Sequence, residues 1–441
     1  MSEHTYPAEL PIAPLTAAPR ATVTVPGSKS ITNRALVLAA LGSLESACTL
    51  TGALQSEDTE VMVESLRRLG YPVEVEWPTV RIGHQRIGHV PNNSADIYVA
   101  NSGTTMRFLT ALCAVGNGRY RLDGIPRMRE RPIEDLLSAL RQLGVGAESE
   151  AGNGCPPVVI ESNGIFYKDA AWIKAGVSSQ FLSALLMVAG RGNATGETLS
   201  IHVEGPVVSE PYIAMTEEML RTWGIPIGVS RNENETVYHF PSDATAHYGK
   251  LAAYAIEPDA SAASYFWAAA AVAGGRVTVA GLTRKSLQGD VRFVDVLAKM
   301  GCRVEECDAG ITVHGGPLRG VDVDMNDISD TVMTLGAVSL FADGPTTIRN
   351  VAHIRHKETD RIAALATELR KLGAAVEERA DGLTITPGPL RGAAVDTYND
   401  HRMAMSLALV GLKVPGVVIR NPGCVAKTYP GFWQDLEKLR V

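Results

Sequence analysis

The chain has 441 residues, of which 45% are hydrophobic and 20% charged, and its formal net charge is −7. This composition is typical of a globular protein with two or three domains, and it excludes a broad basic surface for nucleic acid. Apolar runs are too short for a signal peptide or a membrane helix, and the six scattered cysteines lack a zinc spacing, so we predict a cytoplasmic protein with reduced, buried thiols.

The first predicted helix begins in the stretch PGSKSITNR, where Lys29, Ser30 and Arg34 lie close to its start. The stretch is not a nucleotide-binding P-loop, because the lysine follows a serine rather than a glycine. Unsatisfied N–H groups at a helix N-terminus favour anions. A serine N-cap beside two solvated cations explains the same residues, and this stretch alone favours that simpler interpretation.

Two kinds of helix alternate along the chain, and each kind recurs about every 75 residues. One kind is amphipathic and ends at a glycine: Gly70, Gly144, Gly224, Gly301 and Gly373, with a sixth copy, FWQDLEKLRV, at the end of the sequence. The other kind is apolar throughout and closes at Gly42, Gly116, Gly190, Gly274, Gly344 and Gly416. We expect the apolar helices to be buried, the amphipathic helices to lie outside them, and each glycine to be a C′ residue.

Short β-type runs separate the helices, so each repeat combines two helices with several strands. Three repeats make a domain, and six make two similar domains. We predict an N-terminal domain over residues 27–256 and a second domain formed by residues 1–26 and 257–441. Two chain crossings between similar domains predict a hinge and a cleft.

Polar residues begin the apolar helices, and these first turns are the predicted site. They are Lys29, Ser30 and Arg34; Asn101, Ser102, Gly103, Thr104 and Arg107; Ser178, Ser179 and Gln180; Asp259 and Ser261; Asp330; and Asp400, His401 and Arg402. Any one of them is an ordinary cap. Because repeats place equivalent helix starts on one face, the set predicts an oxyanion site. The segments PRMRERP, RHKETDR and VAKTYP add cations suited to more than one phosphate or carboxylate.

Ten motifs spread over residues 20–441 resemble the 5-enolpyruvylshikimate-3-phosphate synthase family, in that family's order. They are PGSKSITNRAL, NSGTTMRF, PRMRERP, SSQFLSALL, PDASAASYF, QGDVRFVDVL, ISDTVMT, RHKETDR, YNDHRMAM and AKTYPGFW. The resemblance implies an α/β fold, a two-domain inside-out α/β barrel with three β-α-β-α-β-β repeats per domain. In that fold the N-termini of the buried helices face the cleft between the domains.

The same resemblance implies an activity. The family transfers the enolpyruvyl group of phosphoenolpyruvate to the 5-hydroxyl of shikimate 3-phosphate and releases phosphate through a tetrahedral intermediate. The reaction belongs to the shikimate pathway of aromatic amino-acid biosynthesis, uses no metal or cofactor, and is the target of glyphosate. The resemblance also implies a cytoplasmic monomer whose partners are these two small molecules, without nucleic acid or membrane.

Roles carry over residue by residue where the motifs match. The implied catalytic residues are Asp330 and Glu358 as an acid/base pair, assisted by Lys29. The implied shikimate 3-phosphate contacts are Lys29, Ser30, Arg34, Ser178, Ser179, Gln180, Ser209, Tyr212, Asp330, His353 and Lys357. The implied phosphoenolpyruvate contacts are Lys29, Asn101, Gly103, Arg127, Gln180, Arg361, Arg402 and Lys427. The sequence departs from the family pattern at Ala100, Phe108, Ala262, His353 and Ile354, and the change at 353 puts one shikimate 3-phosphate contact in doubt.

Two alternatives stay open at this point. The first is the related transferase that acts on UDP-N-acetylglucosamine, but most of its members carry a reactive cysteine in the loop that corresponds to PRMRERP, and this loop has none. The second is a non-catalytic anion-binding relative. The sequence keeps every implied acid, base and main cation, which argues against a non-catalytic protein. These residues are Lys29, Asp330, Glu358, Arg402 and Lys427.

Overall fold

A computed structural model describes residues 5–232 and 235–440 of the chain. Helix caps, glycines and β-branched runs alternate regularly along the sequence, and the chain accordingly forms short helices and strands. The chain divides into two compact units. The central unit is Gly27–Ile256, and the terminal unit combines the chain up to Pro26 with the chain from Glu257 onward. Both chain ends therefore contribute to one unit.

Twelve α-helices lie in the described residues. They are α1 (Lys29–Gly42), α2 (Glu57–Arg68), α3 (Gly103–Ala114), α4 (Glu134–Gln142), α5 (Ser179–Gly192), α6 (Glu210–Thr222), α7 (Ala260–Ala273), α8 (Phe293–Met300), α9 (Val332–Ser339), α10 (Arg361–Lys371), α11 (His401–Gly411) and α12 (Phe432–Glu437). The odd-numbered helices are the apolar kind and the even-numbered helices the amphipathic kind, as the sequence predicts.

Burial follows this alternation. Every residue of α3 and α11 is buried. Helix α4, in contrast, buries only Leu136, Leu137, Ala139 and Leu140, which recur at the spacing of one helical face. Each fully buried Leu or Phe contributes roughly 1.5–3 kcal/mol relative to an exposed one, so the odd-numbered helices form the cores. The predicted inner and outer helices are confirmed.

The strands in the described residues are β1 (Glu9–Pro11), β2 (Arg20–Val23), β3 (Cys48–Thr51), β4 (Val73–Glu76), β5 (Thr79–Ile82), β6 (Ser94–Tyr98), β7 (Asn117–Asp123), β8 (Gly146–Ser149), β9 (Val158–Asn163), β10 (Ala170–Lys174), β11 (Leu199–Glu204), β12 (Gly228–Arg231), β13 (Thr236–Phe240), β14 (Ala253–Ala255), β15 (Arg276–Ala280), β16 (Arg303–Cys307), β17 (Gly310–His314), β18 (Asp322–Asp324), β19 (Thr346–Arg349), β20 (Ala375–Arg379), β21 (Gly382–Thr386), β22 (Ala394–Val395) and β23 (Val418–Arg420).

One sheet topology recurs in these strands. Sheets β14-β3-β5-β4, β6-β7-β9-β8 and β10-β11-β13-β12 belong to the central unit, and sheets β2-β15-β17-β16, β18-β19-β21-β20 and β1-β23-β22 to the terminal unit. In each four-stranded sheet a parallel pair, such as β6 with β7, continues into antiparallel neighbours, such as β9 and β8. The predicted α/β class with repeated β-α units is confirmed.

The glycine prediction is right for the amphipathic helices and mostly wrong for the apolar ones. All five glycines after the amphipathic helices have a positive φ, between 75° and 118°. Among the apolar helices, Gly274 directly follows α7 with φ 76°, and Gly116 follows the C-cap of α3 without a positive φ. Gly344 and Gly416 are left-handed but lie well beyond the ends of α9 and α11. Gly42 is instead the last residue of α1, where an added Cβ would lie 2.7 Å from the backbone of Gly249. Glycine is needed there for close packing rather than for a left-handed turn.

Two further features bear on the sequence predictions. Cys307, at the end of the edge strand β16, is exposed, and Cys155 is partly exposed, so the expectation that all thiols are buried is wrong. The expectation failed because β16 has a partner on only one side. None of the helices in the described part of the chain combines the length and the apolar character needed to cross a membrane.

Candidate active site

The start of α1 joins a lysine to a buried acid. Ser28 is the N-cap, and its hydroxyl accepts a hydrogen bond from the Ile31 N–H. The Lys29 Nζ lies 3.3 Å from Oδ2 of Asp58, in the first turn of α2. Sequence reasoning missed Asp58, because an acid in the first turn of a helix is an ordinary partner of the helix dipole. Only the packing of α2 on α1 gives it a second role.

Arg34 is buried, and its guanidinium joins three helices of the central unit. It donates to Thr216 Oγ1 at 2.7 Å and to the Tyr212 carbonyl at 3.1 Å in α6, to the Ser183 hydroxyl at 3.2 Å in α5, and to the Ser30 carbonyl at 2.9 Å in α1. Burial lowers the pKa of Arg34 to about 10, which still leaves it charged at neutral pH. Arg34 therefore fixes the relative positions of Ser30 and Tyr212, two of the predicted shikimate 3-phosphate contacts.

The other predicted shikimate 3-phosphate contacts of the central unit lie at helix starts, namely Ser178, Ser179, Gln180, Ser209 and Tyr212. Ser178 is the N-cap of α5, and its hydroxyl accepts from the Gln180 N–H at 3.2 Å. Ser209 precedes α6 with φ 53°, the left-handed region that non-glycine residues seldom occupy. Backbone N–H groups and hydroxyls at such starts suit a phosphate.

A second group of the central unit surrounds Gly103, the first residue of α3. Arg131 donates to the Asn101 carbonyl at 3.1 Å, and Arg107 donates to the Gly103 carbonyl at 3.2 Å. A Cβ on Gly103 would lie 2.4 Å from the Arg131 guanidinium and 2.7 Å from that of Arg107, so only glycine leaves both in place. Arg127 forms an ion pair with Glu130 at 2.7 Å. Arg131 holds Asn101 and was not among the predicted site residues.

Arg361 is the centre of the charged cluster in the terminal unit. It is the first residue of α10, and its side chain is 1% exposed. It donates to Asp400 at 2.7 Å, to Glu358 at 2.9 Å and to Asp330 at 3.1 Å. Burial alone would lower the pKa of Arg361, but the three carboxylates outweigh it and raise that pKa above its usual value. A single guanidinium thus holds three acidic side chains together.

Further cations surround the same carboxylates. Arg402 donates to Asp330 at 2.7 Å, and the Lys357 Nζ lies 4.0 Å from the same side chain. The Lys427 Nζ lies 3.8 Å from Glu358. The cluster therefore combines the four cations Lys357, Arg361, Arg402 and Lys427 with the three carboxylates Asp330, Glu358 and Asp400. We call this set the Arg361 cluster. Asp400 belongs to the predicted oxyanion site, but it is the one carboxylate of the cluster to which the family resemblance gives no catalytic or substrate-binding role.

Local structure explains how these residues meet. Asp400 is the N-cap of α11, so Arg402 lies in the first helical turn. Lys427 ends the 3-10 segment Pro422–Lys427. Asp330 does not open the fifth apolar helix as expected; it lies in the 3-10 segment Asn326–Thr331, just before α9.

His353 lies beside this cluster. Its Nε2 is 2.9 Å from the Ser329 hydroxyl, next to Asp330 in the chain. Burial, reinforced by Lys357, lowers the pKa of His353 to about 3, so the ring is neutral at physiological pH. Within residues 5–232 and 235–440, no group of three or more His, Cys, Asp or Glu side chains is arranged to hold a metal ion.

Three comparisons with known proteins, by family model, by sequence and by structure, agree on one family. The family model described as EPSP synthase (3-phosphoshikimate 1-carboxyvinyltransferase) matches residues 16–436. A 3-phosphoshikimate 1-carboxyvinyltransferase of Nostoc punctiforme is 49% identical over 95% of this chain and 97% of its own length. One of Shewanella oneidensis is 43% identical over 96% and 97%. A solved structure of EPSP synthase from Acinetobacter baumannii superposes with a TM-score of 0.78 at 25% identity, covering 98% of both chains.

Proposed function

The chain belongs to the EPSP synthase family, and we propose that it transfers the enolpyruvyl group of phosphoenolpyruvate to the 5-hydroxyl of shikimate 3-phosphate, with release of phosphate. The reaction is a step of the shikimate pathway. The observation that carries this proposal is the Arg361 cluster, in which the implied acid/base pair and the main implied phosphoenolpyruvate cations are joined by ion pairs.

The cluster suits a substrate with both a phosphate and a carboxylate. Its cations are already close together, and protein carboxylates occupy their N–H donors. Phosphoenolpyruvate would compete for the same donors, and arginine binds such oxyanions bidentately. Binding of the substrate at Arg402 would release an oxygen of Asp330 from its ion pair. The released carboxylate could then accept a proton.

The chemistry needs three proton transfers. The methylene of phosphoenolpyruvate gains a proton, which makes C2 electrophilic, and the 5-hydroxyl loses its proton as its oxygen bonds to C2. Phosphate then leaves the tetrahedral intermediate as the new methyl group loses a proton. We assign these transfers to Asp330 and Glu358, with Lys29 assisting. The two carboxylates share Arg361 as a hydrogen-bond donor, which supports a joint role.

Shikimate 3-phosphate would be held mainly by the central unit. The helix starts of the central unit offer neutral donors for the phosphate and ring of shikimate 3-phosphate, namely Ser30, Ser178, Ser179, Gln180, Ser209 and Tyr212. Lys29 adds a positive charge, and Asp58 limits where its ammonium group lies. Asp330, His353 and Lys357 of the terminal unit would complete the set. We propose further that the enzyme works as a cytoplasmic monomer without a cofactor.

The test is phosphate release from phosphoenolpyruvate by the purified full chain, with and without shikimate 3-phosphate, in excess chelator. We expect release that requires shikimate 3-phosphate and does not respond to the chelator. Release only with UDP-N-acetylglucosamine would instead assign the related transferase activity. No release with either acceptor would leave a non-catalytic anion-binding protein. Size-exclusion chromatography at the assay concentration checks the proposed monomer.

A further inference from the structure

The turn that leads into α11 has an unusual backbone. Tyr398 and Asn399 are consecutive non-glycine residues with φ 54° each, in the left-handed region. Asparagine adopts this conformation more readily than other non-glycine residues, but for tyrosine it is disfavoured and persists only where the surrounding structure holds it. The next residue is Asp400, the N-cap of α11 and a member of the Arg361 cluster.

A buried carboxylate holds this turn. Glu368 of α10 is fully buried and accepts a hydrogen bond from the Tyr398 hydroxyl at 2.6 Å and from the Asp396 N–H at 3.1 Å. The Lys371 Nζ bonds to Glu368 at 2.9 Å and to the Asp396 carboxylate at 2.6 Å. We call Glu368, Lys371, Asp396 and Tyr398 the Glu368 cluster. Its hydrogen bonds hold the chain at Asp396, two residues before the left-handed pair, and at Tyr398, the first residue of that pair.

Helix α10 therefore holds the segment 396–400 at two points. Glu368 holds Asp396 and Tyr398 near the helix end, and Arg361, at the helix start, holds Asp400. Arg361 and Glu368 are seven residues apart, a spacing that puts both on one helix face. The register of α11 against α10 is thus set by two sets of hydrogen bonds, of which only one belongs to the proposed substrate site.

The turn is also linked to the segment that carries Lys427. The Asn399 side-chain oxygen accepts a hydrogen bond from the Asn421 side-chain amide at 3.2 Å. Asn421 is itself left-handed, with φ 49°, and directly precedes the 3-10 segment that ends at Lys427. Two left-handed asparagines therefore meet where the two cation-bearing segments begin.

We propose that Glu368 and Tyr398 are positioning residues that hold Arg402, and through Asn399 also Lys427, in place for phosphoenolpyruvate. This inference rests on the proposed function. Neither residue belongs to the proposed acid/base pair or to the proposed substrate contacts. They act by holding the Tyr398–Asn399 turn in its left-handed conformation. Without them the turn would leave this conformation, and the start of α11 would shift relative to Arg361.

The main test variant is Tyr398→Phe in the full chain, which removes one hydroxyl. Steady-state phosphate release is measured with each substrate varied in turn. Small misplacements of binding groups cost large factors in rate and affinity, so we expect the KM for phosphoenolpyruvate to rise about tenfold. The KM for shikimate 3-phosphate should stay close to wild type, because most of its proposed contacts lie in the central unit. Glu368→Gln, which weakens the partner of the same hydroxyl, should shift the same constant.

Tyr120→Phe is the control for the loss of a tyrosine hydroxyl. The Tyr120 hydroxyl donates to the Asn92 carbonyl at 2.8 Å. Tyr120 lies in β7 of the central unit, a strand that carries none of the proposed site residues. Tyr120→Phe should leave both KM values unchanged, whatever its effect on the midpoint of thermal unfolding.

The outcomes separate the two proposals. If the wild type turns over and both Tyr398→Phe and Glu368→Gln keep its KM for phosphoenolpyruvate, the positioning role is wrong and the Glu368 cluster is only structural. If the wild type neither turns over nor is stabilised by phosphoenolpyruvate against thermal unfolding, the proposed function fails and the positioning role fails with it. A rise in the KM for phosphoenolpyruvate alone supports both.

Discussion

The two units use the same repeat to make opposite kinds of binding surface. In the central unit the starts of α5 and α6 offer hydroxyls and backbone N–H groups, and the buried Arg34 is occupied by neutral oxygens, while cations lie near the starts of α1 and α3. In the terminal unit the helix starts offer charges, and the buried Arg361 is occupied by three carboxylates. The repeat therefore fixes where polar groups meet, while the residues at each start decide whether that place is neutral or ionic.

This difference matters for chemistry. Neutral donors at helix starts bind a phosphate without offering a group that exchanges protons readily at neutral pH. An ionic cluster holds carboxylates next to cations, so an arriving anion can displace a carboxylate and leave it ready to accept a proton. The proposed acid/base residues accordingly belong to the terminal unit, apart from the assisting Lys29.

The largest expected effect comes from removing the centre of the ionic cluster. Arg361→Met leaves the fully buried Asp400 and the partly buried Asp330 and Glu358 without their shared donor. Breaking a buried ion pair by deleting one partner costs about 3–5 kcal/mol, so the free energy of unfolding should fall by about that amount in urea denaturation. Arg292→Met, which breaks an exposed pair with Asp327, should cost less than about 1 kcal/mol. Equal losses in the two variants would contradict the proposed centre.

The second prediction is a large loss of turnover in a variant that keeps its fold and its substrate binding. Glu358→Gln keeps the shape of the side chain but removes its ability to exchange a proton. We expect turnover to fall on the order of 10²–10⁴-fold, the usual contribution of general acid/base catalysis, while shikimate 3-phosphate binding by calorimetry stays near wild type. The exposed Glu377→Gln of the same unit is the control. Turnover within a few-fold of wild type in Glu358→Gln would remove this residue from the acid/base pair.

The third effect tests the central unit. Gly103→Ala places a methyl group against Arg131 and Arg107, and Arg131 holds the proposed phosphoenolpyruvate contact Asn101. We expect the KM for phosphoenolpyruvate to rise about tenfold with little loss of thermal stability. Gly228→Ala is a suitable control, because its Cβ would have only ordinary contacts of 3.5 Å or more. An unchanged KM in Gly103→Ala would mean that the two guanidiniums can move without cost.

The sequence predicts the repeats well, since their signals are local. The glycines after the amphipathic helices adopt the expected left-handed conformation, and RHKETDR brings Glu358 to Arg361 within one turn. What it could not predict depends on distant packing. Asp400 reaches Arg361 across 39 positions, and Asp58 looks like an ordinary first-turn acid until α2 packs against α1. Gly42 fails as a cap because Gly249 approaches it closely.

The smallest effect compares two histidines, the buried His353 of the terminal unit and the partly buried His89 of the central unit. Burial lowers the pKa of His353 to about 3 and that of His89 to about 4, against an ordinary value near 6.5. In the folded chain both therefore stay neutral at pH values where the unfolded chain protonates them. The stability that this neutrality contributes is present above about pH 6.5 and is lost as the pH falls toward the folded values.

Replacing either histidine with asparagine should make the acid limb of the stability profile shallower. A single group contributes at most about 1.4 kcal/mol per pH unit, so urea denaturation between about pH 6 and pH 4 can resolve the change. His353→Asn should also alter turnover, because its ring touches Ser329 beside Asp330, whereas His89→Asn should alter stability alone. If both variants changed only stability, His353 would be a core residue of the terminal unit and would lose its proposed contact with shikimate 3-phosphate.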